Sequence, residues 1–289
     1  MLRFAKIQGL GNDYLVIDCL RGPLPERRLP ALARALSDRH FGIGSDGLLL
    51  VLPSRVADFR MRVFNPDGSE AEKSGNGVRI FTRYLHDHKL TRKRRLVIET
   101  LGGIVRPTLL FRGGQVRAIR VDMGEPRFRP EEIPMKAPAA QPVIRTWLKA
   151  MGKLHRVTCL SMGNPHCVLF VRDVERAPVR EVGSALEHHP AFPQRVNVEF
   201  VQPINPREFK MRVWERGAEE TLSSGTGASA AFVASVLNKK CERKATVHLR
   251  GGDLRVEWRR NNHVFITGPA EEVCSGTTRL DEKLWGRGS

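Results

Sequence analysis

The residues best placed to do chemistry come as a pair. Ser74-Gly75-Asn76-Gly77 and Ser224-Gly225-Thr226-Gly227 stand 150 positions apart, each opening a small-residue run with helical spacing. A helix that begins on glycine exposes unpaired backbone N–H groups and the positive end of its macrodipole. Glycine also lets an anion approach that backbone closely. Two such starts acting from opposite sides would hold one carboxylate. If it belonged to an amino acid, the charge developing as the α-proton leaves would fall on the same oxygens, so binding would tighten in the transition state. Residues 74 and 224 would then face the two sides of the α-carbon, as a two-base racemisation requires. The competing reading of each serine is an N-cap that only satisfies a backbone donor.

Polar turns supply the rest. They add Asn12, Asn65, Asn164, His166, Asn197, Glu215 and Arg216, with the asparagines spread over equivalent places in the two halves and Asn164 standing where Asn12 stands in the first. Arg216 suits a second carboxylate, which a guanidinium grips bidentately, and asparagine amides offer donors and acceptors together. The plainer alternatives are turn residues bonded locally for each asparagine, a surface carboxylate for Glu215 and a satisfied turn histidine for His166.

The elements that must position these residues are themselves repeated. Residues 51–78 align without a gap on 201–228, with identities that include Phe59/Phe209, Met61/Met211, Arg62/Arg212, Glu70/Glu220 and Ser74/Ser224. Two copies of one unit predict two similar domains about a pseudo-two-fold, with the site between them. Strands are expected at 2–7, 14–18, 48–52, 59–64, 96–100, 103–111 and 116–123, and helices at 29–39 and from about 74 to 87. The second half repeats this with strands near 155–160, 167–171, 195–203 and 263–268, and helices at 179–188 and about 224–238. Gly124–Pro142, with Pro126, Pro130, Pro134, Pro138 and Pro142, reads as the crossover. The expected domains are 1–123 plus about 269–289, and 124–268, the tail from 269 returning to the first. The fold class is α+β, each half a barrel-like mixed sheet wrapped around a central helix.

Composition narrows the partners. The chain has 289 residues, 41% of them hydrophobic, which fills two medium cores. It contains no apolar run long enough for a membrane span and opens directly on a strand-like pattern, so a cytoplasmic location is expected. The five cysteines follow no metal-ligand spacing and read as reduced thiols. The formal charge of +17 invites nucleic acid, with residues 86–95 the densest basic stretch. The basic residues are otherwise dispersed, and few aromatics accompany them as stacking surfaces. A small acidic substrate gains from the same field.

At these residues the chain resembles the diaminopimelate epimerase family. The stretches that carry the likeness are 9–18, 38–50, 64–81, 162–168, 195–200, 214–231 and 264–273, in the family's order from end to end. The resemblance implies two α+β domains and interconversion of LL- and meso-diaminopimelate, a lysine and cell-wall precursor step, without pyridoxal phosphate or metal. It also implies a homodimer. By resemblance, Gly75, Asn76, Gly225 and Thr226 hold the reacting α-carboxylate. Asn12, Asn65, Asn164, Asn197 and Arg216 recognise the distal amino-acid end, with Glu215 and His166 beside the reacting centre.

The departure from the family lies at its two acid/base residues. These are cysteines in the family and serines here, Ser74 and Ser224. A thiol ionises near pH 8.5, less at a helix N-terminus. An alcohol weaker by about 5 pKa units starts about 7 kcal/mol behind, at roughly 1.36 kcal/mol per unit. The chain is therefore expected to bind diaminopimelate and to turn it over slowly or not at all. The alternatives are an isomerase of another small carboxylate on the same fold, and a silent substrate-binding homologue.

Overall fold

The computed structural model describes residues 1–72, 74–136 and 141–279. The chain divides into two compact units, Met1–Val121 with the chain from Gly268 onward, and Asp122–Thr267. The first unit contributes β1 (Leu2–Gly9), β2 (Asn12–Asp18), α1 (Leu29–Ser37), β3 (Leu48–Leu52), β4 (Phe59–Phe64), β5 (Glu70–Ala71), α2 (Gly75–Asp87), β6 (Ile98–Thr100), β7 (Gly103–Val105), β8 (Thr108–Arg112) and β9 (Gln115–Gly124). The second contributes β10 (Thr146–Ala150), β11 (Lys153–Ser161), β12 (Pro165–Phe170), α3 (Val179–Glu187), β13 (Asn197–Asn205), β14 (Glu208–Glu215), β15 (Glu219–Thr221), α4 (Gly225–Leu237), β16 (Lys244–Leu249), β17 (Gly252–Trp258) and β18 (Val264–Gly268). The chain then returns to the first unit as β19 (Glu271–Thr278).

One run of strands is common to both units: β19-β1-β2-β3-β4-β6-β7 with β5 on β4 in the first, and β10-β11-β12-β13-β14-β16-β17 with β15 on β14 in the second. In the first, β2–β3 and β4–β6 are parallel and the remaining pairs antiparallel. The second has its parallel pairs at the matching places, β12–β13 and β14–β16. Each parallel step needs a crossover, which α1 and α2 supply in the first unit and α3 and α4 in the second.

Two helices per sheet bury it on both faces. Leu29, Leu32, Ala33 and Leu36 of α1 pack on Leu15, Ile17, Leu48, Leu50 and Phe64. Side chains alternate along a strand, so Val16 and Leu49 point the other way, where α2 lies across β1, β2 and β3. In the second unit, Val179, Val182 and Leu186 of α3 pack on Cys159, Cys167, Val198 and Phe200. Helix α4 takes the opposite face and meets β11, β12, β13, β14, β16 and β17. Strands covered on both faces become continuously buried: Leu48–Val51 in β3 and Asn197–Val201 in β13.

Several expectations change in detail. The strand expected over 103–111 is two, because Pro107 lacks an N–H and restricts the residue before it. Strand β10 falls where no strand was expected. The tail pairs with β1, Leu2 opposite Thr278 and Gln8 opposite Glu271. The fully buried Arg79 of α2 donates from Nε to Pro269 O at 3.3 Å, fastening this returning segment. Pro138, in the expected crossover, and residues 280–289 of the tail lie outside the described residues. All five cysteines are free thiols. Among the described residues no helix is long and apolar enough to cross a membrane.

Candidate active site

The two helix starts are near-copies in backbone and cap. Ser74 precedes α2 with φ −136° and ψ 123°, and Ser224 precedes α4 with φ −132° and ψ 122°. Each hydroxyl accepts from the N–H three residues on, Gly77 at 3.0 Å and Gly227 at 3.2 Å. Both serines are therefore N-caps. Helical bonding begins with Val78 N–H to Ser74 O and Ala228 N–H to Ser224 O, both 2.9 Å. The N–H groups of residues 75, 76, 225 and 226 precede that ladder, at the positive end of each dipole. Glycine is needed three residues after each cap: a Cβ on Gly77 would stand 3.0 Å from Ser74 Cβ, and one on Gly227 3.1 Å from Ser224 Oγ.

In the first unit an asparagine from the β1–β2 turn holds the helix start. Asn76 Nδ2 donates to Asn12 Oδ1 at 3.1 Å, and Asn12 Nδ2 donates to Asp46 Oδ2 at 2.8 Å. Asp46 also accepts from Asp13 N–H at 3.0 Å and from Arg39 at 2.8 Å. Asp13 is bridged by Arg39 at 2.8 Å and Lys6 at 3.0 Å. Burial works to raise its pKa, yet these two cations hold it below the ordinary carboxylate range. Tyr14 Oη donates to Ser74 Oγ at 3.4 Å, the one side-chain contact to that hydroxyl from outside its own turn among those described. Asn65 works within its own turn: its N–H donates to Ser69 O at 2.8 Å and its Nδ2 to Ser69 Oγ at 2.9 Å.

The second unit repeats the tie and adds a buried His–Glu pair beneath it. Asn164 Nδ2 donates to Thr226 Oγ1 at 3.3 Å, as Asn12 meets Asn76. Asn164 Oδ1 lies 2.9 Å from His166 Nε2, and His166 Nδ1 lies 2.6 Å from Glu199 Oε1. Both members of the pair are fully buried. Burial pushes the Glu199 carboxyl up, with His166 pulling the other way. Glu199 Oε1 also stands 3.1 Å from the point a Cβ on Gly227 would occupy; at the matching place under α2 stands a methyl of Leu49, 3.5 Å from the Cβ point of Gly77.

Arg216 follows β14. Its N–H donates to Asn197 Oδ1 at 2.9 Å and its Nη1 to Gln194 O at 3.2 Å, while Asn197 Nδ2 donates to Pro165 O at 2.8 Å. Glu215 Oε1 accepts from Thr221 Oγ1. The buried Glu187 of α3 fixes this turn, accepting from Trp214 Nε1 at 2.7 Å and from Gly217 N–H at 3.0 Å.

The structure thus joins Asn12 to Asn76, and Asn164 to both His166 and Thr226, with Asn197 bonded to Arg216. Sequence reasoning missed Glu199, Glu187, Tyr14 and the Asp13–Asp46–Arg39–Lys6 network. For Glu199 a signal existed: the repeat sets it opposite Leu49, a carboxylate for a hydrocarbon in a buried strand.

The duplicated architecture recurs in solved structures of other proteins. The chain matches a probable proline racemase from Agrobacterium radiobacter with a TM-score of 0.71, at 16% identity over 97% of this chain and 94% of that one. A hydroxyproline epimerase from Agrobacterium vitis gives 0.70, at 16% identity over 95% and 91%. At such identity the likeness concerns the fold. Sequence comparison is more specific: residues 4–129 and 158–273 match the family model "Diaminopimelate epimerase". Proteins of that name from Moorella thermoacetica and Pelotomaculum thermopropionicum are 52% and 51% identical, covering 97% and 95% of this chain and 100% and 98% of theirs. The chain belongs to the diaminopimelate epimerase family.

Proposed function

We propose that this chain is an isomerase that interconverts LL- and meso-diaminopimelate by exchange of the α-proton, using neither pyridoxal phosphate nor metal. The observation that carries the reading is the 52% identity, over 281 residues, to a protein named diaminopimelate epimerase. Ser74 and Ser224 take the two acid/base positions, one on each side of the α-carbon. The N–H groups at Gly75, Asn76, Gly225 and Thr226 take the reacting carboxylate, and the charge formed on deprotonation grows where those donors point. Asn12, Asn65, Asn164, Asn197 and Arg216 take the distal amino-acid end, with Glu215 and His166 beside the reacting centre. A homodimer and a cytoplasmic location complete the reading; free thiols throughout agree with the latter.

Serine limits the rate. Ionising a serine hydroxyl costs about 7 kcal/mol more than ionising a thiol, which slows proton removal by about 10⁵-fold. Each hydroxyl accepts from a backbone donor, which eases its ionisation by only about 1 kcal/mol and leaves most of that gap open. That observation favours one further reading, a protein that binds the substrate without turning it over. Deuterium incorporation at the α-carbon of LL-diaminopimelate in D₂O, set beside calorimetric binding, separates the two. Binding with slow incorporation supports the epimerase, binding with none supports the silent binder, and no binding excludes diaminopimelate.

A further inference from the structure

A chain of hydrogen bonds runs from a buried carboxylate to the second residue of α4: Glu199 Oε1 to His166 Nδ1, His166 Nε2 to Asn164 Oδ1, and Asn164 Nδ2 to Thr226 Oγ1. Its direction depends on protons. An oxygen acceptor faces each ring nitrogen of His166, and an imidazole with one proton cannot donate to both. With one extra proton on the His166–Glu199 pair, Nε2 donates to Asn164, the Asn164 amide donates to Thr226, and the Thr226 hydroxyl proton is left for a ligand. Without it, Nδ1–H donates to the Glu199 carboxylate and Nε2 is bare. The Asn164 amide then turns over to donate to Nε2, and Thr226 must donate to Asn164 Oδ1. Thr226 now presents lone pairs where it presented a proton.

Charge works in the same direction. Glu199 Oε1 sits beside Gly227, inside the first turn of α4. When His166 is neutral and Glu199 ionised, a buried net negative charge lies under the helix start. An added carboxylate is repelled, with little water to screen it. The extra proton cancels that charge. Burial of Glu199, whose Oε2 has no hydrogen-bond partner among the described residues, already disfavours the bare carboxylate.

We propose that a carboxylate ligand binding at the start of α4 takes up a proton onto the His166–Glu199 pair, with Asn164 and Thr226 as the relay. This rests on the reading of Gly225 and Thr226 as carboxylate binders. Glu199 and His166 are positioning residues in this scheme. The neighbouring elements leave the pair as the group that titrates. Helix α4 carries no ionisable side chain from Gly225 to Leu237. Cys167 on β12, with Cys159 as its neighbour on β11, is pushed up, by their mutual hydrogen bond first and burial second, so it stays a neutral thiol. On β14, Arg212 is committed to Glu220 and Glu215 accepts from Thr221. Glu199 itself is supplied by β13.

Calorimetry of LL-diaminopimelate binding in buffers of differing ionisation enthalpy counts the protons. The unaltered chain is expected to take up a proton on binding, and its affinity to fall about tenfold per pH unit once the pair has lost its own. Glu199→Gln, which keeps the shape and removes the charge, is expected to bind with no uptake and to hold its affinity at high pH. Glu199→Leu, the residue of the first unit, serves if Gln disturbs folding. Thr226→Val is expected to lose roughly tenfold in affinity, the worth of a hydrogen bond to a charged group, and Thr226→Ser to keep it. Binding without proton uptake, or a Glu199→Gln variant as pH-dependent as its parent, overturns the proposal. If diaminopimelate does not bind at all, the proposed function fails and ¹⁵N NMR of the ligand-free chain decides the relay alone. The Asn164 side-chain amide must then shift with the same midpoint as His166 Nε2, and an amide that does not move refutes it.

Discussion

Asn12 Oδ1 accepts from Asn76 Nδ2 at 3.1 Å, so the β1–β2 turn and the start of α2 are one unit of structure. Asp46 holds the other end of that amide. Asn12→Asp replaces the donor by a carboxylate facing Asp46. Expected is a loss of about 1–3 kcal/mol, the range for an unmade half-buried bond plus repulsion, read by urea denaturation. An unchanged midpoint would show the tie to be incidental.

Gly227 is fixed by what lies beneath it. A Cβ there meets Glu199 Oε1 and Ser224 Cβ, both at 3.1 Å. Gly227→Ala is expected to destabilise by about 1–3 kcal/mol, the usual cost of overpacking, although alanine is the better helix former. The same change at an open turn such as Gly22, with no atom within 4 Å of its Cβ point, is the control and should be near neutral.

Glu187 is expected to matter for the ligand from a distance. Glu187→Ala leaves the Trp214 and Gly217 N–H groups without their acceptor, at a cost of about 2–5 kcal/mol for two bonds. The turn it loosens carries Arg216. Calorimetry should show weaker diaminopimelate binding in the folded fraction, whereas unaltered affinity would separate Glu187 from the site.

An ion pair follows the repeat: Arg62–Glu70 and Arg212–Glu220, each 2.7 Å. The Arg212 side chain holds Glu220 below the ordinary glutamate range. A carboxyl with a depressed folded pKa stabilises fully above its unfolded value, about 4.3, and loses that contribution as pH falls through the folded one. The melting temperature should therefore drop below about pH 4.3, and Glu220→Gln should flatten part of that acid limb. An acid limb as steep in the variant as in the parent would assign it to other carboxyls.

The helix starts were legible because each appears twice with its flanking strand, and the second copy excludes coincidence. Helices α1 and α3 were legible from apolar spacing. Strand β10 was not: its Thr146-Trp-Leu-Lys-Ala alternates like an exposed loop, since an edge strand shows only a partial apolar face. The division of 103–111 hung on Pro107. Glu199 hid for a subtler reason. In a half-exposed strand a carboxylate between Val198 and Phe200 reads as the solvent face, but β13 is covered on both sides. His166 was legible as a turn residue, and its role depends on a carboxylate 33 positions away that only the parallel register of β12 and β13 makes its neighbour. Asn65 was legible as a turn former, and its described hydrogen bonds are those of that turn.

The central claim is that this chain carries the epimerase machinery with only its two sulfurs missing. Deuterium wash-in at the α-carbon of LL-diaminopimelate, measured for the Ser74→Cys/Ser224→Cys double variant beside its parent, tests it most directly. The account predicts rapid α-exchange and appearance of the meso isomer in the double variant, about 10⁵-fold faster than in the parent. A folded double variant that binds diaminopimelate yet exchanges no α-proton would contradict it.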